Sequence, residues 1–195
     1  MRVAAIVLAA GESTRFGSPK QRLLLPAVLA RLAKAPVDEI VVVAGAYDLD
    51  LPSDKVSQGV SARLVACAEW ERGPGASLRC GLAALHPDAE VAVVVLADGP
   101  ALAPESVVRV LDAWRASGGI VAASYEGARG HPLALGRDLW SDVPDEGLHS
   151  RPVRLVPCDD LGAPGDVDTP DDLPEGIGGA TTQSRRGREA PRASP

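Results

Sequence analysis

Val3-Ala4-Ala5-Ile6-Val7-Leu8-Ala9-Ala10 runs directly into Gly11-Glu12-Ser13-Thr14-Arg15-Phe16-Gly17-Ser18-Pro19-Lys20. A short, wholly apolar run reads as a strand buried on both faces, the kind found inside a parallel sheet. The segment after it holds two glycines, small hydroxyl residues, Arg15 and Lys20, and little that could pack into a core. Backbone N–H groups of a glycine-containing turn can face phosphate oxygens, and two cations can balance a triphosphate. The spacing is not that of a P-loop, because five residues separate Gly11 from Gly17 and no Ser or Thr follows Lys20. Nor is it a G-x-G-x-x-G dinucleotide turn. Met1-Arg2 before the apolar run imitates a short signal peptide. A buried first strand accounts for the same residues and also for the loop that follows.

The chain has 195 residues, 46% hydrophobic and only 3% aromatic, so one domain with a core of Val, Leu and Ala is expected. A formal net charge of −6 argues against nonspecific nucleic-acid binding and against a polybasic membrane surface. It leaves room for a local positive pocket. Cys67, Cys80 and Cys158 are odd in number and form no C-x-x-C, and His86, His131 and His149 are scattered. Neither a disulfide framework nor a zinc site is suggested, which makes a reducing cytoplasm the default expectation.

Strand-like runs at Glu39–Ala44, 62–66, 91–96, 120–124 and 152–157 alternate with helical patterns. Leu78, Leu82 and Leu85 share one helical face, and so do Val107, Val110, Leu111 and Trp114 after Pro104-Glu105. This order predicts an α/β domain over residues 1–173, a mostly parallel sheet covered on both faces. Ligands of such sheets bind beyond the carboxyl ends of the strands, which directs attention to the loops after Leu8 and Leu96. Residues 174–195 carry no apolar period and four arginines against two glutamates, and read as a disordered tail.

Three further stretches could carry chemistry. Asp98 ends the 91–96 strand just before Gly99-Pro100, where it could hold magnesium on bound phosphates or be an ordinary turn residue. Ser77, in Trp70-Glu-Arg-Gly-Pro-Gly-Ala-Ser77, could be a plain N-cap, or its helix start could receive an anion or a base edge. His131, in Arg129-Gly-His-Pro132, is either structural or a contact for a ligand. Thr169 with Asp172 reads as a capping box, and Asp168 beside it as a metal ligand or an acid near a helix start.

The segment LAAGESTRFGSPK resembles the nucleotidyltransferase signature L-A-x-G-x-S-x-R-x-G-x-x-K, and most closely that of the MobA-like group, which attaches a nucleotide to molybdopterin. Gly11, Ser13, Arg15, Gly17 and Lys20 all fall in register. Glu69, Trp70, Gly73, Ser77, Leu78, Arg79, Gly81 and Leu82 are similar to the cytidylyltransferase pattern D-W-x-x-G-x-x-x-S-L-R-x-G-L. The stretch 165–173 is similar to the family's closing D-x-D-T-P-x-D-L. The resemblance implies a three-layer α/β/α, Rossmann-like nucleotidyltransferase domain. It implies nucleotide binding by Leu8, Ala9, Ala10, Gly11, Ser13, Arg15, Lys20 and Ser77, with Arg15 and Lys20 catalytic. Asp98 and Asp168 are the implied Mg2+ ligands, and His131 the implied acceptor contact. Two departures stand out. Cys67 replaces the family's usual asparagine, and the segment after Lys20 is shortened.

The implied reaction moves a nucleoside monophosphate from an NTP to a phosphate-bearing acceptor, releasing pyrophosphate. CTP is favoured, because CTP users carry Leu-Ala-Ala-Gly here and GTP users Leu-Ala-Gly-Gly. Molybdopterin is the implied acceptor, and a client molybdoenzyme a possible partner. The alternatives are a degenerate nucleotide- or molybdopterin-binding accessory protein, or a same-fold transferase acting on a sugar or polyol phosphate.

Overall fold

The computed structural model describes residues 1–13, 16, 19–51 and 60–173. The segment 174–195, read as a disordered tail, lies outside them. Seven strands form one sheet: β1 (Arg2–Ala9), β2 (Glu39–Ala44), β3 (Ser61–Ala66), β4 (Ala89–Leu96), β5 (Ile120–Tyr125), β6 (Ala128–Gly136) and β7 (Arg154–Pro157). Their spatial order is β3-β2-β1-β4-β6-β5-β7. β1 pairs in parallel with β2 and β4, β2 with β3, and β5 with β7. β6 alone runs antiparallel to its neighbours β4 and β5.

Alternation along β1 explains the layers. Successive side chains of a strand point to opposite faces. Val3, Ala5 and Val7 join the core cluster with Val28 and Leu32 of α1 (Lys20–Leu32) and Val107 and Leu111 of α3 (Pro104–Ser117). Ala4 and Ile6 join the opposite cluster with Leu78 and Leu82 of α2 (Pro74–Ala84). Ala4 through Val7 are all fully buried. The apolar run that opens the chain is thus a central strand, and the three-layer, mostly parallel architecture is the expected one. No helix among the described residues is long and apolar enough to cross a membrane.

Local structure departs from the sequence's own signals at three places. The resemblance to the family implies a G-H-P turn at Gly130-His131-Pro132, but these residues belong to β6, with a cis His131–Pro132 peptide. The turn lies just before it at Glu126-Gly127, both at positive φ, as a tight hairpin between twisted strands requires. α1 begins at Lys20 itself and continues through Pro26, a residue that ordinarily breaks or kinks a helix interior. An interior proline costs a helix about 3 kcal/mol. Burial of Leu24, Leu25, Val28, Leu29 and Leu32 on one face offsets that cost. Ser77 is not an N-cap. Gly73 occupies that position with Pro74 as the first helical residue, so Ser77 lies one turn inside α2, buried.

The cysteine reading is also corrected. Cys67, just after β3, and Cys80 of α2 form a disulfide with Cα atoms 5.8 Å apart. Their spacing of 13 residues announces nothing, because the pairing exists only once α2 packs on the sheet beside β3.

Candidate active site

β1 has β2 on one side and β4 on the other, so the chain winds away from it in both directions. Such a switch point opens a crevice beyond the strand ends. Here Gly11–Ser13 follows β1 and Asp98 follows β4. Ala97 N–H donates to the Leu8 carbonyl at 3.0 Å, which ties the two loops together. The loop after β1 is held from below: Gln21 donates from Nε2 to the Gly11 carbonyl (2.7 Å) and accepts from Ser13 Oγ (2.8 Å). Tyr47 donates its hydroxyl to the Glu12 carbonyl (2.6 Å).

The central lobe of the crevice, about 270 Å³, is walled by Leu8, Ala9, Gly11, Ser13 and Lys20, with Asp98, Asp166 and Asp168 opposite. Lys20 Nζ donates to the Val167 carbonyl (2.6 Å) and lies 3.0 Å from Asp98, 3.5 Å from Asp168 and 3.9 Å from Asp166. Residues 164–168 reach this place because Ala101 N–H donates to Pro164 O and Val167 N–H to Asp98 O. Beyond them the capping arrangement at Thr169 is formed. Its amide and hydroxyl both donate to Asp172 Oδ2 at 2.8 Å, holding that carboxyl below the usual range.

A second lobe, about 350 Å³ and mostly apolar, adjoins the first at Leu8, Gly11 and Leu96. Ala10, Trp70, Gly73, Pro74 and Ser77 line it. Gly45 sits under its wall. A Cβ there would stand 2.6 Å from Trp70 Cγ and 2.8 Å from Ala10 Cβ. A third lobe, about 380 Å³, meets the central one at Leu96 and Asp166. The antiparallel course of β6 carries Arg129 and His131 to it, since Leu133 pairs with Val94 and the strand's start therefore lies toward the carboxyl end of β4. Burial pushes the His131 imidazole down to about 4, with Arg129 adding to the effect, so the ring is neutral at pH 7. Tyr125, also in this lobe, donates its hydroxyl to the His131 carbonyl at 3.1 Å.

The crevice therefore gathers Leu8, Ala9, Ala10, Gly11, Ser13, Lys20, Ser77, Asp98, Asp168 and His131. Arg15 and Gly17 lie outside the described residues. Gln21, Tyr47 and Asp166 escaped the sequence reading. Gln21 carried a faint signal, a polar residue beside Lys20 in the first turn of a helix whose inner face is apolar from Leu24 onward.

The donors facing the centre are carboxylate and carbonyl oxygens, the hard set that suits Mg2+ or Mn2+. Among the described residues no cluster of three or more His, Cys, Asp or Glu forms a ready metal cage. A cation shared with substrate phosphates needs only one or two carboxylates, so Asp98 and Asp168 fit.

A doubly wound sheet with a glycine-containing loop and a lysine after its first strand, beside a carboxylate after its fourth and two more beyond its last, is the nucleotidyltransferase fold. The chain belongs to the MobA-like NTP transferase domain family, whose profile matches residues 5–155. It is similar to Rv0371c from Mycobacterium tuberculosis H37Rv, with 32% identity over 88% of this chain and 96% of that one and a TM-score of 0.71. A structure of Rv0371C in complex with manganese superposes with a TM-score of 0.66, at 30% identity and the same coverage of both chains. The 4-diphosphocytidyl-2C-methyl-D-erythritol synthase of Anaerococcus prevotii DSM 20548 shares the fold at 19% identity, over 88% of this chain and 94% of that one, with a TM-score of 0.65. A comparison with curated proteins gave no match.

Proposed function

We propose that this protein transfers a nucleoside monophosphate from an NTP, CTP in preference to GTP, to a phosphate-bearing acceptor of the molybdopterin type. The observation that carries the reading is the continuity of the crevice. An apolar lobe beside Trp70 adjoins a charged centre at Lys20 through Leu8, Gly11 and Leu96, and that centre adjoins a lobe at His131 and Arg129 through Leu96 and Asp166. That sequence suits a base, a triphosphate and an acceptor.

In the reaction an acceptor phosphate oxygen attacks the α-phosphorus, the bond to the β-phosphate oxygen breaks, and pyrophosphate leaves. Transfers of this kind depend on positioning and charge stabilisation more than on covalent help from the protein. No general base is needed, because a phosphate monoester is already ionised at neutral pH. Amides of the Ala10–Gly11 turn would hold phosphate oxygens, and Lys20, with Arg15, would stabilise the charge growing on pyrophosphate. Asp98 and Asp168 would hold a divalent cation, which when bound supplies charge neutralisation at the reacting phosphates; the manganese complex of Rv0371C supports a metal of this class. The neutral His131 ring would offer the acceptor one N–H donor and one nitrogen acceptor.

The base preference rests on Ala10. Its methyl stands with Trp70 over Gly45 and narrows the apolar lobe. Misfits of a few methyl-sized contacts are worth ~1–3 kcal/mol, which gives a preference of about 10–200-fold in kcat/KM for CTP over GTP. Pyrophosphate release from each NTP, with Mg2+ and molybdopterin, tests this. Ala10→Gly should narrow the gap. Equal or faster use of GTP by the unaltered protein would overturn the cytidylyl assignment and leave nucleotidyl transfer standing.

A further inference from the structure

Lys20 is an unusual place for a cation. It is the first residue of α1, whose first turn contains no acidic side chain. The amino end of a helix carries partial positive charge and disfavours a cation. Its side chain is only 9% exposed, so the ammonium cannot escape into water. What holds it are Asp98 at 3.0 Å, Asp168 at 3.5 Å and the Val167 carbonyl at 2.6 Å, with the more exposed Asp166 at 3.9 Å. The two carboxylates are more open than the lysine, 25% and 31% exposed, and both border the crevice. A cation arriving from solvent meets these carboxylates with the ammonium already engaged behind them.

We propose that Lys20 is the resident counter-ion of Asp98 and Asp168 and competes with the divalent cation for them until a nucleotide arrives. The inference rests on the reading of Asp98 and Asp168 as metal ligands. A dication drawn to these oxygens is repelled by the ammonium beside them, so metal alone binds weakly. A triphosphate changes the balance. Its oxygens give the ammonium a new partner at the same helix end, where anions are favoured. The carboxylates are then released to the metal, and metal and nucleotide strengthen one another's binding. Such coupling is reciprocal. It restricts metal loading to the moment when substrate is present, and it gives the one lysine two successive partners.

The test is Mn2+ binding by the full chain, read from the electron paramagnetic resonance signal of free Mn2+, with and without the α,β-methylene analogue of CTP. For the unaltered protein, Mn2+ alone should bind weakly and the analogue should tighten it. Lys20→Ala and Lys20→Gln, checked for folding by circular dichroism, should bind Mn2+ alone at least about tenfold more tightly, and the gain from the analogue should shrink. If both variants bind Mn2+ alone no more tightly than the unaltered protein, while Asp98→Asn in the Lys20→Ala background weakens binding, the counter-ion role is wrong and the metal reading survives. If neither Asp98→Asn nor Asp168→Asn in that background weakens Mn2+ binding, the metal reading itself falls, and the inference with it.

Discussion

At the scale of single residues, the crevice concentrates charge on a few atoms whose removal has distinct readouts. Lys20→Ala should lower kcat by roughly 10²–10³, the usual loss when one donor to a developing anion is removed. Turnover near the unaltered rate would exclude Lys20 from phosphate stabilisation. Asp98→Asn should abolish metal-dependent pyrophosphate release in a protein that circular dichroism shows still folded, with some fall in melting temperature because the buried Lys20 ammonium loses its nearest carboxylate. Full turnover of that variant with Mg2+ would make it a turn residue only. Gly45→Ala carries a different signature. The added methyl must displace Trp70 or Ala10, so KM for the nucleotide should rise more than kcat falls. Lys20 and Asp98 were legible in the sequence because Asp98 follows directly on an apolar strand and Lys20 closes the loop of small and polar residues that follows another. Asp166 and Gln21 were not. Lys20 and the carbonyl it donates to are 147 residues apart, and no local pattern records such a meeting.

Elements show where local rules were overruled. β6 contains Gly130 and Pro132, residues that mark turns, yet it pairs on both sides from Leu133 to Leu135. Pro132 falls outside the pairs with β4 and with β5, where a missing N–H matters least. α2 is positioned by contacts remote in sequence. Gly75 N–H donates to the Asp145 carbonyl at 2.9 Å, and a Cβ on Gly75 would overlap the Pro144 carbonyl oxygen. Asp145 in turn accepts from Arg72 and Arg79, which hold its carboxyl below the usual range. Gly75→Ala should therefore destabilise the fold by about 1–3 kcal/mol, the usual range for overpacking a tight site, measured by urea denaturation. An unchanged midpoint would mean that the 144–147 loop yields freely. The Cys67–Cys80 disulfide closes a loop of this same region. For a loop of about 15 residues, reduction should cost about 3 kcal/mol in the loop-entropy account. Thermal melts with and without a thiol reductant measure it, and identical melting temperatures would mean that the bond adds nothing to stability.

Across the whole molecule, the third lobe links the site to stability. The folded protein holds His131 near 4, whereas an unfolded chain titrates it near its ordinary value of 6.5. Between those values the unfolded state binds the extra proton, so stability falls as pH drops from about 6.5 to 4 and recovers as pH rises. His131→Gln should flatten the melting temperature over that window. A profile as steep as that of the unaltered protein would assign the fall to other groups. The sequence by itself determined the layered α/β architecture, the apolar first and fourth strands, and the two loops after them that hold the site. These are local properties: the period and length of apolar runs follow from burial, and a loop that cannot pack must do something else. Only the tertiary structure decided that β6 runs antiparallel and delivers His131 to the third lobe, and that Cys67 meets Cys80. It alone set one buried lysine between two carboxylates from distant loops. Such meetings depend on strand order and helix docking, which many sequences with the same periodicity would leave open.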